Sequence, residues 1–246
     1  MGRRVFLSAV LIVGTLAAAP GFAADAITLL YQDRPPYYIT NPDGSIGGVV
    51  AGRVARALKS VRIQAAWKVR PGKRQIETIR HNRAAVCSPG WFKKPEREQF
   101  AKFSDPIYQD HPQVVVIRAN ERDQFPHRKL ADLFGDRRHS FGAKLGYSFG
   151  TFVDRLVKAT KPETQKTPQD VTGMVRMLAG RRFDYMLAAE EEFESLQIEL
   201  GEATDAIAAL TMDDIPPGNK RYLMCSKAVP DPLIARFNTG LASLSN

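Results

Sequence analysis

The sequence predicts an α/β protein of two lobes, each built on a mostly parallel sheet. Three observations carry that reading. Short apolar runs of strand length alternate with segments of helical periodicity. The alternation comes in two series, the second opening at Gln113. The chain has 246 residues, which suits two lobes of about 100 residues each. With 44% hydrophobic and 25% charged residues, and 18 Gly and 16 Pro, it belongs with globular rather than disordered or fibrous chains.

Ile27-Thr28-Leu29-Leu30-Tyr31 is an apolar run fit for a buried strand, and it breaks at Asp33-Arg34-Pro35-Pro36. Asn41-Pro42-Asp43-Gly44 is turn chemistry, after which Val49, Val50, Val54, Ala57 and Leu58 recur near helical spacing. Residues 61–69 read as a second strand, Ile76 and Ile79 mark a helix after Pro71-Gly72, and 84–87 is a third strand. In the second series the apolar segment 113–117 is followed by a short helix at 130–134, a strand at 140–145 and a helix at 149–159. Met174 and Leu178 belong to another helix, 183–187 to a strand, and 190–200 to a helix with acids on its open face. A strand at 221–226 and an amphipathic helix at 230–244, bearing Leu233, Ile234, Phe237, Leu241 and Leu244, end the chain.

Arg3 and Arg4 precede an apolar run from Val5 to Ala19 that breaks at Pro20-Gly21 and ends among small residues. This pattern predicts a secretory signal peptide over residues 1–24, too short in its apolar part to span a membrane. Its removal takes away two arginines and no acid, so the mature chain stays basic, as the whole chain is at +9. Export implies an oxidising compartment, where Cys87 and Cys225 allow a single internal bridge; two separately buried thiols are the alternative. Neither cysteine has a CxxC partner or a histidine at zinc-ligand spacing.

The sequence carries no GxSxG, HExxH, Walker A or GxGxxG motif, and His81, His111, His127 and His139 are scattered. No metal or cofactor is called for. Basic residues are spread without interleaved aromatics, which argues against nucleic acid as a partner. Glu190-Glu191-Glu192 reads first as a solvated helix start favoured by the helix dipole.

One constellation stands apart: Gly90-Trp91-Phe92-Lys93-Lys94-Pro95-Glu96-Arg97, followed by Phe103-Ser104-Asp105-Pro106-Ile107-Tyr108. It resembles the family 3 periplasmic solute-binding proteins, in which the arginine of a P-E-R segment grips a ligand carboxylate. Further segments match in order. Arg34-Pro35-Pro36-Tyr37 with the 41–44 turn is similar to the family's opening cleft loop, and Leu145-Gly146-Tyr147-Ser148-Phe149-Gly150 to its second-lobe ligand loop. Gly180-Arg181-Arg182-Phe183-Asp184 resembles its G-R-x-D strand start, and 225–230 its closing strand and helix.

The resemblance implies a type 2 periplasmic-binding-protein fold, the Venus-flytrap form. Its first lobe is formed by residues 25–110 with 212–246, its second by 111–211, and two hinge crossovers join them near 109–112 and 208–213. It implies a Cys87–Cys225 disulfide within the first lobe. For the cleft it implies Arg97 as an exposed carboxylate-binding fork, with Tyr147 and Ser148 supplying a hydroxyl and backbone donors opposite. Tyr31, Trp91 and Phe92 would form apolar and aromatic walls.

Departures from the family pattern narrow the ligand. Amino-acid-binding members carry an aspartate five residues beyond that of G-R-x-D, where it meets the ligand ammonium; here that position is Ala189. The first-lobe positions that usually offer small hydroxyl or backbone contacts are Gly90 and Phe92, and Arg34 replaces the stacking aromatic of the opening loop. Arg34 pointing into the cleft would favour a dianionic ligand, and Arg34 facing solvent would not; Glu190, next to Ala189, is the candidate acid. The expected function is reversible capture of a small carboxylate-bearing ligand by a periplasmic monomer, for an ABC-type permease. The alternatives are a sensor-associated binding protein, or a cyclohexadienyl-dehydratase-like enzyme with Glu190 as general acid.

Overall fold

The computed structural model describes residues 26–244. The signal peptide expected over residues 1–24 lies outside the described residues. The first lobe opens with β1 (Ala26–Tyr31), the two-residue strands β2 (Ile39–Thr40) and β3 (Ile46–Gly47), α1 (Val49–Ser60), β4 (Gln64–Val69) and α2 (Gly72–His81). It continues through β5 (Val86–Trp91), the one-turn α3 (Pro95–Glu98) and the long β6 (Ala101–Gln109). The second lobe contains β7 (Gln113–Arg118), α4 (Leu130–Gly135), β8 (Phe141–Lys144), α5 (Thr151–Thr160) and β9 (Thr164–Thr167). It ends with α6 (Val171–Ala179), β10 (Tyr185–Ala189), α7 (Glu190–Leu200) and β11 (Ile207–Leu210). The chain then returns to the first lobe as β12 (Lys220–Ser226) and α8 (Asp231–Ala242).

The first sheet has the order β4-β1-β5-β12-β6, the second β11-β7-β10-β8-β9. In each, four of the five strands run the same way and one runs against them: β12 in the first, β7 in the second. Each reversed strand is the one that has just arrived from the other lobe. The chain enters a lobe at its cleft end and runs away from the cleft, whereas the other strands run toward it. The carboxyl ends of those strands therefore line the cleft, the usual ligand position in open α/β sheets.

Period-two patterning explains the second lobe's core. On β7, Val114 and Val116 join Met186 and Ala188 of β10 under α6 and α7, while Val115 and Ile117 join Tyr185 and Leu187 under α4 and α5. The sheet is covered on both faces, which is why β7 and β10 read as continuous apolar runs. In the first lobe α1 and α8 pack together on one face through Val50, Val54, Ile234 and Phe237. Cys87 on β5 stands directly opposite Cys225 on β12, and the two are bridged.

The two passages between the lobes lie side by side. The first is at 110–112. The second follows Met212 and Ile215, which pack with the second lobe, and the Asp214 carboxylate, which accepts the Leu130 and Ala131 N–H groups at the start of α4. Asp110 N–H donates to the Asn219 carbonyl (3.0 Å), and Gln109 Nε2 to that of Gly218 (3.2 Å). A Cβ on Gly218 would lie 1.8 Å from the Asp110 carbonyl oxygen, so only glycine lets the passages touch.

Titration of the unfolded, unreduced protein should find no free thiol. Replacing both cysteines by serine should cost up to about 4–5 kcal/mol, since the bridge closes a loop of 138 residues. Gly218→Ala should lower unfolding free energy by about 1–3 kcal/mol in denaturant melts, because the clash is with backbone and no rotamer relieves it. An unchanged melt would contradict the close passage.

Candidate functional site

Both sheets present their cleft ends to one cavity of about 100 Å³. Tyr31, Arg34, Gly90, Trp91, Phe92 and Arg97 line it from the first lobe, Tyr147 and Ser148 from the second; Glu190 does not. Arg221, Asp110, Lys144, Ala189 and Glu192 complete the lining relevant to its charge.

Trp91 is positioned first. Its Nε1 donates to Ser88 Oγ (2.7 Å) and to Gln75 Oε1 (3.3 Å), two buried partners that fix the ring at the end of β5. Gly90 beside it has φ +86°, and a Cβ there would collide with the Tyr38 hydroxyl, which donates to the Pro89 carbonyl. Arg97 lies 4.8 Å from the Trp91 ring centroid and donates from Nη1 to the Phe92 carbonyl (2.8 Å). The sequence suggests an exposed arginine here, but Arg97 is only 8% exposed, because the turn from β5 into α3 folds it against Trp91. Glu96 and Glu98 are taken by Lys94 and Lys93. Among the described residues Arg97 forms no ion pair, and burial pulls its pKa down.

Arg34 does point into the cavity. The loop after β1 closes on itself, with Arg34 N–H donating to the Tyr38 carbonyl and the Tyr37 and Tyr38 N–H groups to that of Arg34. The guanidinium forks onto Glu192 (Nε to Oε1 2.5 Å, Nη2 to Oε2 2.9 Å). It lies 5.3 Å from each of the Tyr37 and Tyr147 ring centroids. This pair crosses from one lobe to the other.

The glutamate run divides by helical geometry, since successive residues at a helix start point about 100° apart. Glu190 faces solvent, 3.9 Å from His111 Nδ1. Glu191 is buried at the hinge, accepting from the Tyr37 hydroxyl (3.0 Å) and the His111 N–H (3.1 Å). Glu192 enters the cavity. The carboxylate absent at Ala189 thus reappears one turn later, already claimed by Arg34.

Arg221 on β12 is 4% exposed; it pairs with Asp110 and donates to the Gly90 carbonyl (3.1 Å). Its guanidinium lies 3.9 Å from the Tyr37 ring centroid. Burial, against the pull of Arg221, pushes the Asp110 carboxyl up to about 6. Lys144, the last residue of β8, places Nζ 4.6 Å from the Tyr147 ring centroid and forms no ion pair among the described residues. Burial and then the charge of Arg34 lower its pKa.

Ser148 lines the cavity, yet its hydroxyl is engaged. It donates to Asp154 Oδ2 (2.5 Å) and accepts from the Gly150 N–H (3.1 Å) and Lys94 Nζ (3.2 Å). Asp154 also accepts the Phe149 N–H (2.9 Å). The donors that the sequence offered to a ligand anion are therefore largely used by the chain's own acid in the first turn of α5. Tyr31 likewise turns its hydroxyl to Thr40 Oγ1 (3.1 Å) and offers only its ring.

Sequence reasoning passed over Arg221, Asp110 and Lys144, and it read Glu192 with Glu190 and Glu191 as a solvated helix start, whereas Glu191 and Glu192 are buried. The one available signal was positional: Lys144 ends a strand just before the Tyr147 loop, and Glu192 lies one turn past Ala189.

The sequence pattern of the bacterial extracellular solute-binding proteins, family 3, matches residues 27–246. The chain belongs to this family. No curated protein matches it in sequence. Among solved structures, this family 3 chain resembles an ancestral arginine-binding protein bound to arginine, with TM-score 0.69 and 16% identity over 89% of this chain and 91% of that one. It also resembles a histidine kinase sensor domain similar to periplasmic binding proteins, with TM-score 0.69 and 18% identity over 88% of each chain. A third likeness is to a structure from work on glutathione import through GshT and a cystine ABC importer of Streptococcus mutans. Its TM-score is 0.70, at 13% identity over 88% of this chain and 87% of that one. At these identities the likeness establishes the fold, the type 2 periplasmic-binding-protein architecture, and not the ligand. Among the described residues of this family 3 chain, no helix is long and apolar enough to cross a membrane.

If Arg34 and Glu192 act as one unit across the cleft, Arg34→Met and Glu192→Gln should be non-additive. A double-mutant cycle in unfolding free energy should return a coupling of about 1–3 kcal/mol. Additivity within about 0.5 kcal/mol would show that the pair carries no joint energy.

Proposed function

We propose that this protein is a periplasmic, monomeric binding protein that captures a small carboxylate-bearing ligand lacking an α-ammonium group and passes it to an ABC-type permease. The observation that carries the reading is Arg97: a buried guanidinium lining the interlobe cavity, with no acid paired to it among the described residues. A buried charge without a counter-ion is costly, and a ligand carboxylate relieves that cost with a fork of charge-assisted hydrogen bonds. The second support is subtractive. A ligand ammonium would need a free carboxylate, and both acids lining the cavity, Asp110 and Glu192, are held by Arg221 and Arg34.

Because both lobes line the cavity, closure desolvates the ligand and recognition is complete only in the closed state. Tyr31, Trp91, Phe92 and Tyr147 supply the aromatic walls. The histidine kinase sensor domain of the same fold keeps a sensor partner as the second reading; neighbouring genes, permease or kinase, separate the two. Catalysis is not part of the proposal. Glu190, the acid that a dehydratase-like mechanism would use, lies outside the cavity.

A thermal-shift screen of small carboxylates and amino acids identifies the ligand, since binding to the folded state raises its melting temperature. Calorimetry with that ligand should then show Arg97→Ala losing about 30-fold to several thousand-fold in affinity. The variant should stay folded, losing about 1–3 kcal/mol for its packing against Trp91. Glu190→Ala should bind within a few-fold of the wild type. Unchanged affinity in Arg97→Ala, or tight binding of an ordinary α-amino acid through its ammonium, would refute the assignment.

A further inference from the structure

Building on that reading, we propose that Lys144 forms a second anion-binding subsite in the same cavity. The ligand is then a short dicarboxylate held between Arg97 and Lys144. Four cations line the cavity. Two are neutralised from within the chain, Arg34 by the fork of Glu192 and Arg221 by Asp110. Arg97 and Lys144 form no ion pair among the described residues; Glu96 and Asp154 act on the first, and Asp170 and Glu192 on the second, only through space, so the described lining holds two more cations than acids.

The placement of the two cations favours one charge at each end of a ligand. Arg97 stacks on Trp91, Trp91 meets Tyr147 at 6.3 Å between ring centroids, and Lys144 sits over Tyr147. Two cations thus flank an aromatic pair, and each lobe contributes one cation and one ring. A single compact anion would satisfy one lobe. A ligand with a carboxylate at either end engages both, with its methylene chain against Trp91 and Tyr147, and so favours the closed state by its differential contacts.

A cavity of about 100 Å³ suits a short ligand, and the series from malonate to adipate brackets the chain length. The state of Lys144 agrees with the assignment: burial and the Arg34 charge both disfavour its ammonium form, and a ligand carboxylate offsets both.

The test is calorimetry of the mature protein with malonate, succinate, glutarate and adipate, each beside its own monoamide. Wild type, Lys144→Met and Arg97→Met are compared, with melting curves confirming that the variants are folded. The best dicarboxylate should bind wild type about 10- to 100-fold more tightly than its monoamide. Lys144→Met should reduce that preference to less than about threefold while keeping the monoamide affinity, whereas Arg97→Met should weaken both. The second subsite is overturned if wild type binds none of the four dicarboxylates, or binds them no better than the monoamides. It is also overturned if Lys144→Met weakens acid and monoamide equally. If Lys144→Met changes nothing while Arg97→Met still weakens binding, only this inference falls; indifference to Arg97 brings down the underlying carboxylate reading as well.

Discussion

The two passages of chain between the lobes touch at Asp110 and Gly218, and the orientation of both sheets depends on that contact. A chain that must leave and re-enter at one edge can only run its arriving strand away from the cleft. The other strands of each sheet then aim their carboxyl ends at a common gap. Helix starts and strand-to-helix turns collect there, which is why Arg34, Arg97, Lys144, Tyr147 and Glu192, far apart in sequence, line one cavity. The same passage buries Arg221 against Asp110 and ties Glu191 to Tyr37 and His111.

Charge in the cleft follows a simple logic. The two acids that line it among the described residues, Asp110 and Glu192, are each matched to an arginine by a short pair, and Arg34 and Glu192 close theirs across the gap between the lobes. Such pairs hold register more than they stabilise, because desolvation consumes much of the attraction. Arg97 and Lys144 line the same cavity without such a pair among the described residues. Position 189 is an alanine, and Glu192, one turn later, is held by Arg34, so that neither residue offers the cleft a free carboxylate.

The periodic parts of the fold were legible in the sequence because they are buried on predictable faces. The runs at 27–31 and 113–117 are core strands, and the spacing of Val50, Val54, Ala57 and Leu58 places α1 on its sheet. The polar segment Thr164–Thr167 forms an edge strand with no apolar signature, so no pattern announces it. The stretch Ala101–Gln109 is one long strand whose Ser104, Asp105 and Pro106 hide its periodicity.

By itself the sequence determined the two α/β series, the only possible disulfide, the opening loop with its unusual arginine, and the arginine after Pro95-Glu96. Each of these is a local signal, a spacing or a residue in a short motif. Only tertiary structure decided that Arg97 is buried against Trp91, that Ser148 serves Asp154, and that Glu192 rather than Glu190 enters the cavity. These outcomes depend on which groups meet across the cleft. A hydrogen bond or ion pair between residues 158 positions apart, as between Arg34 and Glu192, leaves no mark on either residue's neighbours in the chain.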